Sequence, residues 1–254
     1  MFYKPPFPLG CRMDEIPKPS ARKLLVVARP VGFSVECPEL GTWLASIALR
    51  IAQMPQLDMA MIQVSNCRPA LNRNAAALTA RRHKADYLLM VDPDMAPDRY
   101  LRPDGKGGFL SRMCPFLPTA LDCLVRHPGS VVGAPYCAHY PLRQVQVFHQ
   151  GRRVQHSEIP QLDGLREVDA IGTGLMLIDM AVLANIPPPV FEDDYRTPEQ
   201  AQLSASQDVV FCRKVRQAGG KVFCLFDCWA GHQQTSIVDP PGFETIPQSE
   251  QTIG

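Results

Sequence analysis

The chain has no excess of charge of either sign. Its 26 lysines and arginines are balanced by 25 acids, for a net charge of +1. Bulk electrostatics therefore impose neither a nucleic-acid nor a membrane partner, although a local patch would be averaged away. No apolar run approaches the roughly 20 residues that cross a bilayer. The opening Met1-Phe2-Tyr3-Lys4-Pro5-Pro6 carries no apolar signal region. The nine cysteines are odd in number and scattered, so they form no small-domain disulfide framework. These absences point to a reducing, cytoplasmic compartment with no membrane contact. What the chain does have is core material. It has 254 residues, 46% of them hydrophobic, which suits a single domain over residues 1–254. Its 25 prolines fall mostly between periodic segments, as loop punctuation.

Residues Met1 to Ser20 read as an extended arm, and the polar stretch after His232 as a tail or strap. Lys23 to Ala28 is a first buried strand, stopped by Arg29-Pro30. Leu44, Ile47, Ala48 and Ile51 keep helical spacing, so the pattern predicts a helix over 41–54. Asp58 to Val64 is a second strand, and strand-helix-strand suggests a parallel pair. Asn72 to Ala80 is made of helix formers and ends in Arg81-Arg82-His83-Lys84. That basic run invites a nucleic-acid reading, but cations also complement the negative end of a helix. Thr119 to His127 is a short helix, Val131 to Pro135 a short strand, and Gln144 to Phe148 alternates like a half-exposed strand. Glu167 to Ile178 reads as one strand interrupted by Gly172-Thr173-Gly174, since glycine in a strand marks a bulge or a close approach. Ser204 to Gln207 has capping-box spacing before a helix that stops at Gly219-Gly220. Lys221 to Phe226 is the last strand. Two long irregular stretches, Pro97 to Pro118 and Pro187 to Ala201, are candidate binding loops.

The most informative stretch is Tyr87-Leu88-Leu89-Met90-Val91-Asp92-Pro93-Asp94. An apolar run ends in two carboxylates one residue apart. Open α/β sheets bind ligands at the carboxyl ends of their strands. Two acids there can hold a divalent cation, whose other ligands come from phosphates. Asp-Pro-Asp is also simply a good turn. Three features downstream join it: the Gly-Thr-Gly interruption, Asp208 in the first turn of a late helix, and His232 after the last strand. In that order, and with Arg73-Asn74 upstream, these motifs make the chain resemble the GT-A-type nucleotide-sugar glycosyltransferases over roughly Lys23 to His232. One departure is Gln207-Asp208 where that family often has Glu-Asp.

The resemblance implies a GT-A-like, mostly parallel sheet flanked by helices, with an antiparallel extension. It implies that Asp94 binds Mn²⁺ or Mg²⁺ directly, with His232 as a further ligand in neutral form. Asp92 would bind through water or touch the ribose. The metal would neutralise the diphosphate leaving group. Asp208 would be the general base, or orient the donor sugar if configuration is retained; otherwise it merely stabilises the helix end. Gly172, Thr173 and Gly174 would lie beside the sugar, Ala28 and Arg29 near the nucleobase, and Arg73 near the diphosphate. The donor would be a nucleotide-diphosphate sugar such as a UDP-sugar, and the acceptor a hydroxyl on a soluble molecule, with a hydroxymethylated base in DNA as one candidate. The scattered cations Arg81, Arg82, Lys84, Arg152 and Arg153 motivate the DNA reading. Two alternatives stay open: nucleotidyl transfer, and a nucleotide-sugar-binding module without catalysis. No glycine-rich, lysine-bearing phosphate loop follows the first strand, which argues against the former. Cys224, Cys228 and His232, spaced by four, would share a helix face and could bind zinc, but as a strand exit that spacing loses its meaning.

Overall fold

A computed structural model describes residues 22–31, 37–65, 68–99, 115–138, 143–195 and 203–233. The expected arm and nearly all of the expected tail lie outside these residues, as do 100–114 and 196–201 of the two irregular stretches.

The elements in chain order are β1 (Lys23–Val31), α1 (Pro38–Ala52), β2 (Leu57–Ser65), α2 (Pro69–Arg82), β3 (Tyr87–Val91) and β4 (Met95–Ala96). Then come α3 (Phe116–Arg126), β5 (Val131–Gly133), β6 (Val147–His149), β7 (Arg152–Arg153), β8 (Leu165–Glu167), β9 (Ala170–Ile171), β10 (Leu175–Asp179) and α4 (Met180–Leu183). The last are β11 (Asp194–Tyr195), β12 (Leu203–Ala205), α5 (Gln207–Gln217), β13 (Val222–Leu225) and β14 (Gly231–His232). A seven-stranded sheet takes the order β2-β1-β3-β10-β5-β13-β8. Strands β2, β1, β3, β5 and β13 point one way, and β10 and β8 the other. The sheet is thus mostly parallel, with its antiparallel strands at the centre and at one edge.

Unbroken apolar runs form the middle strands because both faces are covered. Leu25, Val27, Leu89 and Val91 pack with Leu40, Leu44 and Ile47 of α1 and Phe116 and Leu124 of α3. Val26, Ala28, Leu88 and Met90 face the opposite layer, with Ala76, Ala77 and Ala80 of α2 and Phe211 and Val215 of α5. Side chains alternate between the faces of a strand, so each run feeds two cores.

Several boundaries differ from the sequence expectation, each for a local reason. β1 runs past Arg29-Pro30 to Val31, because β3 pairs with it only from Leu25 to Ala28. Pro30 therefore leaves no ladder bond unmade on that side. α1 starts earlier, at Pro38, where a missing N–H costs nothing. α3 starts at Phe116, whose N–H donates to the Asp98 carboxylate at 2.8 Å. α5 is capped not by a Ser204 box but from afar, as the Gln207 N–H donates to Asp193 Oδ1 at 3.0 Å. The expected single strand over 167–178 is three strands in two sheets: β8 at the main sheet's edge, β9 in a small sheet with β6 and β7, and β10 at the main sheet's centre.

Candidate active site

The carboxyl end of β3 gathers the distant motifs. The Asp92 N–H donates to the Gly174 carbonyl at 2.9 Å, which ties the Asp-Pro-Asp turn to the Gly-Thr-Gly loop. The turn then leads into β4, which pairs with β14 so that His232 lies opposite Met95. The Gln233 N–H donates to the Asp94 carbonyl at 2.7 Å, and the Ala230 N–H to Pro135 at 3.0 Å. Segments from Asp92, Pro135, Gly172 and Ala230 thus meet at one end of the sheet, where doubly wound folds place ligands.

His232 is oriented from behind. Its Nδ1 lies 2.9 Å from the Cys137 carbonyl, an acceptor only, so Nδ1 carries the proton. Nε2 therefore faces Asp94 Oδ2 at 3.4 Å, as a lone pair in the neutral ring and as an N–H in the charged one. A carbonyl holding one ring nitrogen while the other points forward is the usual support of a metal-ligating histidine. Burial pulls the His232 pKa down, but Asp94, the Cys137 carbonyl and Asp92 together outweigh it and leave it raised.

Asp92 has a different partner. Arg73, buried on α2, donates from Nη2 to Asp92 Oδ2 at 2.7 Å. Burial raises the Asp92 pKa; Arg73 opposes this, Asp94 and Asp208 add to it, and His232 opposes it. Asp208 is thus close enough for Asp92 to feel its charge. It is half-buried in the first turn of α5 and accepts no hydrogen bond among the described residues.

The glycines at 172 and 174 have a neighbour of their own. A Cβ at Gly172 would lie 2.1 Å from the Tyr136 hydroxyl, and one at Gly174 would lie 2.9 Å from Tyr136 Cζ. The Gly174 N–H donates to the same hydroxyl at 3.2 Å. The Tyr136 ring also meets His232 edge-on, with centroids 5.4 Å apart. Burial raises the Tyr136 pKa, and Asp208 and Asp92 raise it further, so the phenol stays protonated. Sequence reasoning missed Tyr136; its place just beyond a strand's carboxyl end was the only available signal. Thr173 is wholly buried, and its hydroxyl has no partner among the described residues.

Ala28 is wholly buried between Ile62 of β2 and Met90 of β3, and the end of β1 lies three residues further on, at Val31. Arg29 is half-buried on the same strand. Asn74 does not face the cluster but bonds the 190–191 backbone. Cys224 is enclosed in β13 and Cys212 donates its thiol to the Ile171 carbonyl, so the zinc spacing does not form a site. Arg81 is spent on the Leu183 carbonyl and Arg152 on Glu158. A cleft of about 360 Å³, lined by Lys23, Lys84, Asp86 and Tyr87, opens at the far end of the sheet, away from these carboxylates.

Among the described residues, no three His, Cys, Asp or Glu side chains are arranged as a metal cage, and no helix is long and apolar enough to cross a membrane. Asp94 and His232 nevertheless fit a cation that takes most of its ligands from phosphate, since carboxylate and a carbonyl-supported imidazole converge there. No family model and no curated protein matches the chain. Among solved structures, A197 from STIV is similar in fold, with a TM-score of 0.52 at 16% identity over 84% of this chain and 86% of that one. GalNAc-T7, solved with UDP, GalNAc and Mn²⁺, aligns at a TM-score of 0.40 and 9% identity, covering 85% of this chain and 44% of that one. The first likeness is one of fold alone, and the second is too low to bear on fold or function.

Proposed function

We propose that the chain is a metal-dependent glycosyltransferase of GT-A-like architecture, a single domain that moves a sugar from a nucleotide-diphosphate donor to an acceptor hydroxyl. The observation that carries this reading is the convergence of Asp92-Pro93-Asp94, Gly172-Thr173-Gly174 and His232 through short backbone bonds at one strand end. Asp94 and His232 hold Mn²⁺ or Mg²⁺, which supplies a Lewis acid for the diphosphate leaving group. Arg73 opposes the rise in the Asp92 pKa that burial causes and so favours the negative face of the site. Tyr136 and the Gly-Thr-Gly loop wall the sugar side and exclude water. Asp208 takes the proton of the attacking hydroxyl, or orients the donor if configuration is retained.

The test is a panel of nucleotide sugars with Mn²⁺ or Mg²⁺, scored for nucleoside diphosphate. Release with at least one donor, and its loss in Asp94→Asn, is the expected result. If Asp94→Asn keeps full metal-dependent turnover, the assignment of Asp94 fails. Pyrophosphate instead of nucleoside diphosphate would mark nucleotidyl transfer.

A further inference from the structure

Beside the acid cluster lies a cation that makes no ion pair with any described carboxylate, although the charge of Asp208 reaches it. Arg153 sits opposite Phe148 in the β6–β7 hairpin, and its guanidinium carbon lies 4.5 Å from that ring's centroid. Nη1 donates to the Val145 carbonyl at 3.2 Å. Among the described residues Arg153 forms no ion pair, although it is half-buried. Its neighbour Arg152 differs: both of its terminal nitrogens grip Glu158, at 2.7 and 2.6 Å. Burial pulls the Arg153 pKa down, while Asp208 and Tyr136 pull it up. The groups that reach it electrostatically are thus the candidate base and the tyrosine packed on the Gly-Thr-Gly loop.

The hairpin is held firmly against that loop. Val147 pairs with Ile171 and Phe148 with Ala170. The Gly172 N–H donates to the Gln146 carbonyl at 2.8 Å, and the Asp169 N–H to Phe148 at 2.8 Å. Arg153 is therefore registered on the residues that lead into 172–174, outside the Asp94–His232 pair.

We propose that Arg153, held over the Phe148 ring, binds an anionic group of the acceptor, a phosphate or carboxylate placed near the hydroxyl that receives the sugar. The guanidinium fork matches two oxygens of such a group. The Phe148 ring and the Val145 carbonyl restrain it in advance, and partial burial strengthens the pairing. An acceptor with an anion at one end and a hydroxyl at the other would set the anion on Arg153 and the hydroxyl toward Asp208. A neutral acceptor would leave the half-buried cation unpaired, which costs free energy. The acceptor role rests on the glycosyltransferase reading, whereas anion binding does not.

The experiment follows the Nε–H resonance of Arg153 by NMR in the full chain, assigned as the signal missing from Arg153→Gln. Inorganic phosphate, acetate and glycerol are titrated at constant ionic strength. A saturable shift with phosphate alone identifies a phosphate-bearing acceptor, and one with acetate alone a carboxylate. Glycerol should do nothing, and the Arg152 signal should stay put. If neither anion moves the Arg153 signal, the proposal is overturned. Once a donor and acceptor are known, Arg153→Gln and Arg153→Lys should raise acceptor KM about ten- to hundredfold, whereas Arg152→Gln leaves it unchanged. Anion binding without transfer from any donor would sink the glycosyltransferase reading but leave the anion site standing. Transfer with an unchanged acceptor KM in Arg153→Gln would sink the site alone.

Discussion

His232 joins the two ends of the candidate site, and its pairing with Asp94 makes stability depend on pH. Its folded pKa lies above the ordinary 6.5, so the protonated ring stabilises the fold. That contribution is fully present below the unfolded pKa and is lost as pH rises through the folded value. In metal-free protein, urea denaturation should show stability declining from neutral toward mildly alkaline pH, and His232→Gln should flatten that decline. An unchanged slope in the variant would mean the pair is not coupled to folding. Tyr136 offers a second check through packing. A methyl at Gly172 would overlap the Tyr136 hydroxyl. Gly172→Ala should therefore cost about 1–3 kcal/mol, the usual penalty of overpacking. Trimming the ring in Tyr136→Leu should recover part of that loss, so a double-mutant cycle should show strong coupling. Additive effects would mean that Gly172 is needed for some other reason.

Helix α2 clamps both halves of the site from adjacent positions. Arg73 grips Asp92, while the Asn74 amide donates to the Ala70 and Phe191 carbonyls at 2.9 and 2.7 Å. The Asn74 side-chain oxygen accepts from Val190 and Phe191 N–H at 2.9 and 3.0 Å. Two residues on from Phe191, Asp193 caps the helix that carries Asp208. Asn74→Ala should thus cost on the order of 1–3 kcal/mol for each backbone group left unpaired, read by chemical denaturation. Asn74→Asp keeps the acceptor but sets a carboxylate oxygen against two carbonyls, so it should not rescue. Sequence reading found α2 by its helix formers but could not see the role of Asn74, because Val190 and Phe191 are over a hundred residues away. It found β1 and β3 because strands covered on both faces are apolar throughout. It misjudged 167–178 because an apolar run does not reveal which sheet it joins. Asp92, Asp94, Asp208 and His232 were legible as polar residues at element ends, whereas Tyr136 was not, since a tyrosine beyond a strand carries no spacing signal.

Two cores sandwich the sheet, and the candidate site sits at its end, sharing Tyr136 with one of them; it is assembled from strand exits that the sheet brings together. The Asp92 N–H ends on Gly174, the Gln233 N–H on Asp94, and the Gly174 N–H on Tyr136. A ligand that bridges these exits should stabilise them as one unit, because opening any of them would release it. Binding at a hundred times Kd contributes about 2.7 kcal/mol, or roughly a hundredfold slowing of exchange through openings that free the ligand. With a nucleoside diphosphate and Mn²⁺, hydrogen exchange should therefore slow together at 91–96, 172–175 and 230–233. The outer half of β2, at the sheet's edge, should change little. Asp94→Asn should abolish the joint protection, while Arg152→Gln, on the outer hairpin, should leave it intact. Protection confined to 91–96 would show that the ligand touches the acid turn without closing the site. Protection at all three segments would show that chain stretches separated by most of the sequence respond as one binding surface.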